Sequence, residues 1–300
     1  MQKNSSPWDI RKAQSDDFGE IAKLIAAQTQ KPQTHCLQSD VGEGAAEIHQ
    51  EMSHLALNNE FCGVLALHNQ QCVGAFGCEL DEELGRGWLR GPFALADSHD
   101  WNLMATALYQ ELLTVLPASI RQTDSFLNIA NQRGQDFYRD QGFRQEKIVH
   151  VYVANSSAIP FSPSPHCGRL NTEQAPALMS LHDSIFPNVY ASGQSIVSEI
   201  DDDHQVFVYT QGDEVVGYLH GTIDSDLQEA MVEFVGVKAT SRGQGIGFQL
   251  LQAALHWFFT ERKMPEVSLN VDDDLANARS LYEKVGFRLK YTGINHRKTW

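Results

Sequence analysis

Like residues recur along this chain at a nearly constant interval. Val73-Gly74 returns as Val216-Gly217, 143 positions on, and Tyr138, Gly142 and Phe143 return as Tyr282, Gly286 and Phe287, 144 positions on. A near-constant interval between like residues in like elements means two copies of one fold, each about the size of a single domain. Hydrophobic spacing predicts the same order of elements in both halves. The first half reads as a strand at 8–13, helices to 25 and over 44–57, strands at 63–67, 72–80 and 87–95, a helix at 101–116, a strand at 126–129, a helix at 132–141 and a strand at 143–153. The second reads as a strand at 166–170, a helix at 173–184 with Thr172 as its cap, a helix at 192–200, strands at 206–209 and 215–223, the strand and helix of 231–251, a strand at 267–271, a helix at 277–284 and a strand from Phe287. Between them the serine- and proline-rich run of 155–165 has the composition of a linker. The expected domains are therefore 1–154 and 166–300.

The most informative stretch is 231–251, MVEFVGVKATSRGQGIGFQLL. An apolar run (Val232, Phe234, Val235, Val237) predicts a buried strand, and a helix follows Arg242-Gly243-Gln244-Gly245-Ile246-Gly247. Glycines here let the backbone turn sharply and approach a ligand closely. A helix beginning there offers unpaired N–H groups and a positive dipole end, which suits a phosphate. The third glycine comes too early for the dinucleotide-binding spacing, and no Gly-Lys-Ser/Thr is present for a P-loop.

Arg242, Gly245 and Gly247 fill the fixed positions of R-x-x-G-x-G, and Ala278-Arg279, Leu281-Tyr282 and Gly286-Phe287 follow within LNVDDDLANARSLYEKVGF. These two signatures, in this order, resemble those of the GNAT acyltransferases. The resemblance implies a mixed α/β chain of two tandem GNAT-fold domains, each a twisted mixed sheet flanked by helices, in an arrangement like that of the mycothiol synthase type. It further implies acyl transfer from acetyl-CoA to an amine, with no metal. Backbone from Phe234 through Gly236 to Val237 would pair with the pantetheine arm, with an N–H near the thioester oxygen, from Val235. Amides of Gln244, Gly245, Ile246, Gly247 and Phe248 would hold the pyrophosphate with Gly243 in the turn and Arg242 flanking it. Tyr282 stands where the general acid is often found. The asparagine that often contacts the pantetheine falls on Leu275 here, so Asn277, two residues on, is either that contact or a helix cap.

Glu233 interrupts an otherwise apolar strand and is the leading candidate for the base that takes the amine proton. Strict alternation would put it on the face of Val235 and Val237, where apolar neighbours would raise its pKa. Glu229, on the same face, is the alternative base. Phe186 and Tyr190 lie in the stretch between the first two helices, which in this fold lines the acceptor pocket, and are candidate acceptor contacts. Asp201-Asp202-Asp203 and Asp272-Asp273-Asp274 read as solvated loop charges.

In the first half the matching loop, from Ala94 through Asp97 and Asp100 to Trp101, lacks the glycine signature and carries two acids that would repel a pyrophosphate. That half is expected to be degenerate, with Asn131 and Tyr138 kept for the fold.

The formal net charge of −15 argues against a nucleic-acid partner, which requires a basic surface. Five cysteines without metal-ligand spacing, and histidines without ligand partners, give no metal site. No apolar leader or run of ~20 apolar residues is present, so no membrane partner and a cytoplasmic location are expected. Oligomeric state is open between a monomer with an internal pseudo-dimer and a homodimer. Alternative functions are a peptide acetyltransferase that uses the first half for recognition, and a non-catalytic acyl-CoA-binding regulator.

Overall fold

The computed structural model describes residues 7–39, 44–95, 98–156, 164–187, 189–225 and 228–300. Most of the expected linker, at 157–163, and Asp97 lie outside the described residues. The chain divides into two units, one of residues 1–149 with 292–300, the other of residues 150–291.

The first unit contains β1 (Asp9–Lys12), α1 (Phe18–Thr29), α2 (Ala45–Leu57), β2 (Phe61–His68), β3 (Gln71–Asp81), β4 (Arg86–Ala94), α3 (Ser98–Val115), β5 (Gln122–Asn128), α4 (Gln132–Asp140) and the start of β6 (Arg144–Asn155). The helix α1 forms because Phe18, Ile21, Ala22, Leu24 and Ile25 recur on one face, and all five are buried. β1 to β4 pair antiparallel, and β4 pairs with β5 in parallel. α3 and α4 close the core around Phe76, Tyr109, Phe137 and Tyr138, whose rings meet at tilted or edge-on angles.

The second unit contains the end of β6, then β7 (Cys167–Arg169), α5 (Ala175–Ile185), α6 (Gly193–Ser198), β8 (His204–Gln211), β9 (Glu214–Asp224), β10 (Glu229–Val237), α7 (Ile246–His256), β11 (Glu266–Asp272), α8 (Ala276–Val285) and the start of β12 (Arg288–Thr299). Two apolar clusters cover opposite faces of β8, β9 and β10. Phe207, Leu219 and Val232 pack with Leu250, Leu251 and Trp257 on the α7 face, whereas Val206, Val208, Tyr218 and Phe234 pack with Leu178 and Ile196 on the α5–α6 face.

Both units are mixed sheets flanked by helices, but their bounds differ from the continuous segments 1–154 and 166–300. Each half gives the end of its last strand to the other unit's core. From Gly293 to Thr299, β12 runs antiparallel to β5, with Gly293 opposite Asn128 and Thr299 opposite Gln122. Arg297 adds an ion pair to Asp124 at 2.6 Å, and His296 stacks on Tyr138. Conversely Tyr152 of β6 packs with Tyr282 and Phe287 in the second unit. Strand pairing is non-local, so nothing in the apolar pattern announces this exchange.

Two expected caps are different. The helix at 173–184 begins at Ala175, and Asn171 and Gln174, not Thr172, hold the entry turn by mutual side-chain-to-amide bonds of 3.0 and 3.1 Å. In α8 the cap position is Leu275, which offers no side-chain bond, so Asn277 sits exposed in the first turn and does not cap it. The first half keeps the capping form: Asn131 accepts from the Gly134 amide at 2.9 Å.

The first half carries a buried ion cluster at the position of Glu233. Arg90, 143 positions before Glu233, is bonded to both oxygens of Glu51 and to Glu79 at 2.8 Å. Losing one member leaves the others buried and uncompensated. We expect Arg90→Ala to lower unfolding free energy by about 3–5 kcal/mol in a urea titration; a change under ~1 kcal/mol would mean that the cluster is solvated in solution.

Candidate active site

The loop ahead of α7 is held open by backbone conformation. Gly243 and Gly245 have φ of +78° and +76°, a left-handed geometry that only glycine adopts readily, and a Cβ at either would point into open space. Among the described residues, none of the amides from Gly243 to Phe248 has an acceptor; the helical ladder starts with Gln249 bonding to the Gly245 carbonyl at 3.2 Å. Six successive unpaired donors at a helix start fit a diphosphate. Gly247 has a packing role as well, since a Cβ there would come within 2.9 Å of Leu281 on α8. Arg242 is exposed and bonds through Nε to the Val237 carbonyl at 3.1 Å, which fixes its stem beside the loop.

The strand leading to this loop parts from its neighbour. β10 pairs with β11 only at Met231 and Val232. Beyond Val232 the edge formed by Glu233 to Val237 is left unpaired on that side, while its other edge stays bonded to β9. A free strand edge of this kind offers the main-chain groups that an extended amide-bearing chain can bond.

A bulge sets the position of Glu233. The register with β9 shifts between Val232, opposite Gly221, and Phe234, opposite His220, so Glu233 is the extra residue. The expectation that it shares a face with Val235 and Val237 is therefore incorrect: those residues pack toward α7, while Glu233 and Phe234 both turn to the α5–α6 face. Nor is its carboxylate surrounded by apolar groups. It accepts hydrogen bonds from Tyr190 Oη and, at 3.2 Å, from Thr222 Oγ1. Glu229 is exposed at the strand start, opposite Asp224.

Glu233 opens on a cavity of about 560 Å³. Tyr190, His220, Thr222 and Phe234 line it near the carboxylate. Phe234 is wedged against His182, Phe186 and Tyr190 at ring distances of 4.9, 5.3 and 5.4 Å. Thus Tyr190 reaches the cavity, while Phe186 serves as packing behind Phe234. His182, fully buried, bridges Tyr218 Oη at 2.5 Å and the Ala191 carbonyl at 2.9 Å, which ties the α5–α6 connection to the sheet. Asp201 and Asp203, read from sequence as solvated, line the same cavity, because they directly precede β8 beside the end of β9. A charged run's place on a sheet end is a tertiary fact, and no signal in the run itself reveals it.

Tyr282 is 9% exposed, on α8. Its hydroxyl has no hydrogen-bond partner among the described residues, and burial pushes the phenol up to about 12, so it carries its proton at neutral pH. The first half shows the opposite arrangement. Tyr138 donates to the Gly91 carbonyl at 2.7 Å, the position of Glu233 is Arg90, and that of Val235 is Pro92, which has no N–H to give. Among the described residues no group of three or more His, Cys, Asp or Glu is placed to hold a metal, and no helix is long and apolar enough to cross a membrane.

A split strand, a run of unpaired amides and a carboxylate on an adjoining cavity are together the groups that acyl transfer from an acyl-CoA would use. Residues 175–287 match the Acetyltransferase (GNAT) family. The second unit thus carries a GNAT acetyltransferase domain, and the whole chain shares its fold with solved GNAT proteins. It superposes on a GCN5-related N-acetyltransferase from Sphaerobacter thermophilus with a TM-score of 0.70 at 18% identity, over 98% of this chain and 96% of that one. A tandem GNAT protein from the clavulanic acid biosynthesis pathway gives a TM-score of 0.61 at 10% identity, over 97% and 98% of the two chains. A glucosamine N-acetyltransferase region in a fungal multi-domain beta-N-acetylglucosaminidase gives 0.65 at 15%, over 98% of this chain and 38% of that one. At such identities the likeness is one of fold.

Proposed function

We propose that this protein moves an acetyl group from acetyl-CoA to a primary amine of a small molecule, by direct attack within a ternary complex in the second unit. The observation that carries the proposal is that one continuous segment, 233–248, combines a carboxylate on a cavity, a free strand edge and six unpaired amides. The amides of Gly243 to Phe248 bind the diphosphate, with Arg242 beside them. The free edge from Phe234 to Val237 aligns the pantetheine amides, and the Val235 N–H stabilises the oxyanion. Glu233 takes a proton from the attacking amine, whose nitrogen bonds to the thioester carbon. As the C–S bond breaks, the sulfur receives a proton from Tyr282. Asn277 contributes a side-chain contact to the pantetheine from the first turn of α8.

Thiol release from acetyl-CoA in the presence of a panel of amines, followed on the full chain, tests this reading. Tyr282→Phe should lower kcat about tenfold or more while the acetyl-CoA Kd stays within twofold. Unchanged turnover would remove Tyr282 from the mechanism, and acetyl-CoA binding without any transfer would point to the non-catalytic regulator.

A further inference from the structure

Both sheets split at the same place. In the first unit β4 and β5 pair only as far as Leu89 and Ser125, and in the second β10 and β11 pair only as far as Val232 and Leu269, which lie 143 and 144 positions on. Beyond Val232 the split leaves a free strand edge. Beyond Leu89 it is filled by the chain itself.

The occupant is the segment 35–39, which follows α1. Cys36 forms an antiparallel bridge to Leu127 of β5, and the Asn128 amide donates to the His35 carbonyl at 3.2 Å. From the β4 side the Gly91 amide donates to Cys36 Sγ at 3.4 Å, and the same sulfur lies 3.8 Å from the carbonyls of Leu89 and Phe126. His35 and Cys36 are each 1% exposed, and Leu37 and Ser39 are buried beside them. An extended backbone bonded to one strand, with its sulfur bonded to the other, reproduces what an extended amide-bearing thiol would do in the cleft. The family signature residues of this half hold the segment. Asn131, 144 positions before Leu275, donates its side-chain amide to the His35 carbonyl at 3.2 Å, and Tyr138 donates to the Gly91 carbonyl at 2.7 Å.

We infer that 35–39 is a fixed internal occupant of the first unit's cofactor cleft, standing where the second unit would take the pantetheine arm, so that the first unit takes no acyl-CoA. Only the name of the arm rests on the reading above; the occupied cleft does not. Two obstacles therefore act together in this half: the run 95–100 ahead of α3 has no glycine to wrap a diphosphate, and the channel behind it is full. Burial pushes the Cys36 thiol up, so it stays protonated and unreactive while the cleft is closed.

Site-resolved alkylation with iodoacetamide on the full chain reads the occupant directly. Cys36 should react at least 100-fold more slowly in the folded protein than in the urea-unfolded chain, and saturating acetyl-CoA should leave the folded rate within twofold. Hydrogen exchange at the Gly91 and Asn128 amides should be slow without acetyl-CoA and equally slow with it. Asn131→Asp keeps the oxygen that accepts from the Gly134 amide and removes the donor to His35. It should speed Cys36 alkylation about fivefold or more, with circular dichroism and the Cys167 rate as in the parent. A Cys36 rate that acetyl-CoA changes more than twofold, or Gly91 and Asn128 amides that gain protection from it, overturns the inference, because either means that the cofactor reaches the cleft. A Cys36 rate in Asn131→Asp within twofold of the parent overturns it too. Acetyl-CoA that binds nowhere, with Cys36 still protected, upholds the occupied cleft and removes the transferase proposal, whereas two acetyl-CoA per chain by calorimetry, with transfer, does the reverse.

Discussion

In Glu233→Gln, turnover should fall by about 100- to 1,000-fold while acetyl-CoA binds as before. The amide keeps the size of the side chain; its oxygen can still accept from one of the two hydroxyls of Thr222 and Tyr190, and its NH2 can donate to the other. What it loses is the capacity to take a proton from the attacking nitrogen. Stopped-assay thiol release gives the rate, and calorimetry with acetyl-CoA gives the affinity. The loss should fall on kcat, because the diphosphate loop lies on other residues of the segment. An unaltered pH–rate profile in the variant would dismiss Glu233 as the base.

The second large effect is expected in Gly245→Val. A β-branched residue at φ of +76° is strained, and its side chain would stand in the space the diphosphate needs. Acetyl-CoA affinity should fall by 100-fold or more, without loss of folding at room temperature, since the position is exposed and a Cβ there meets no protein atom. Circular dichroism establishes folding and calorimetry the affinity. Retention of affinity within threefold would mean that the anion is held elsewhere.

Features carried by backbone chemistry were legible in the sequence. Gly243 and Gly245 announced a turn that only glycine makes readily, and the structure has it. Glu233 was conspicuous because an acid in an apolar strand requires an explanation, and it does open on a cavity. Its face was misread because alternation assumes an unbroken register, and the bulge at Val232 and Phe234 breaks it. The cap at α8 was misread because Asn277 is the better capping residue but the helix starts at Ala276, with Leu275 in the cap position. Asp201 and Asp203 look like surface charges in any local window, and only the pairing of β8 with β9 brings them to the cavity. For the bulge and for the two aspartates the missing information is long-range.

The strand exchange has a practical corollary for anyone dividing the gene. A cut in the proline-rich stretch separates the halves on paper, yet the front fragment lacks the segment that seals its β5 edge, and the rear fragment lacks Tyr152 behind Tyr282. Likewise, a short deletion within 293–299 would strain the first unit, whose β5 it pairs with, before it touches the second.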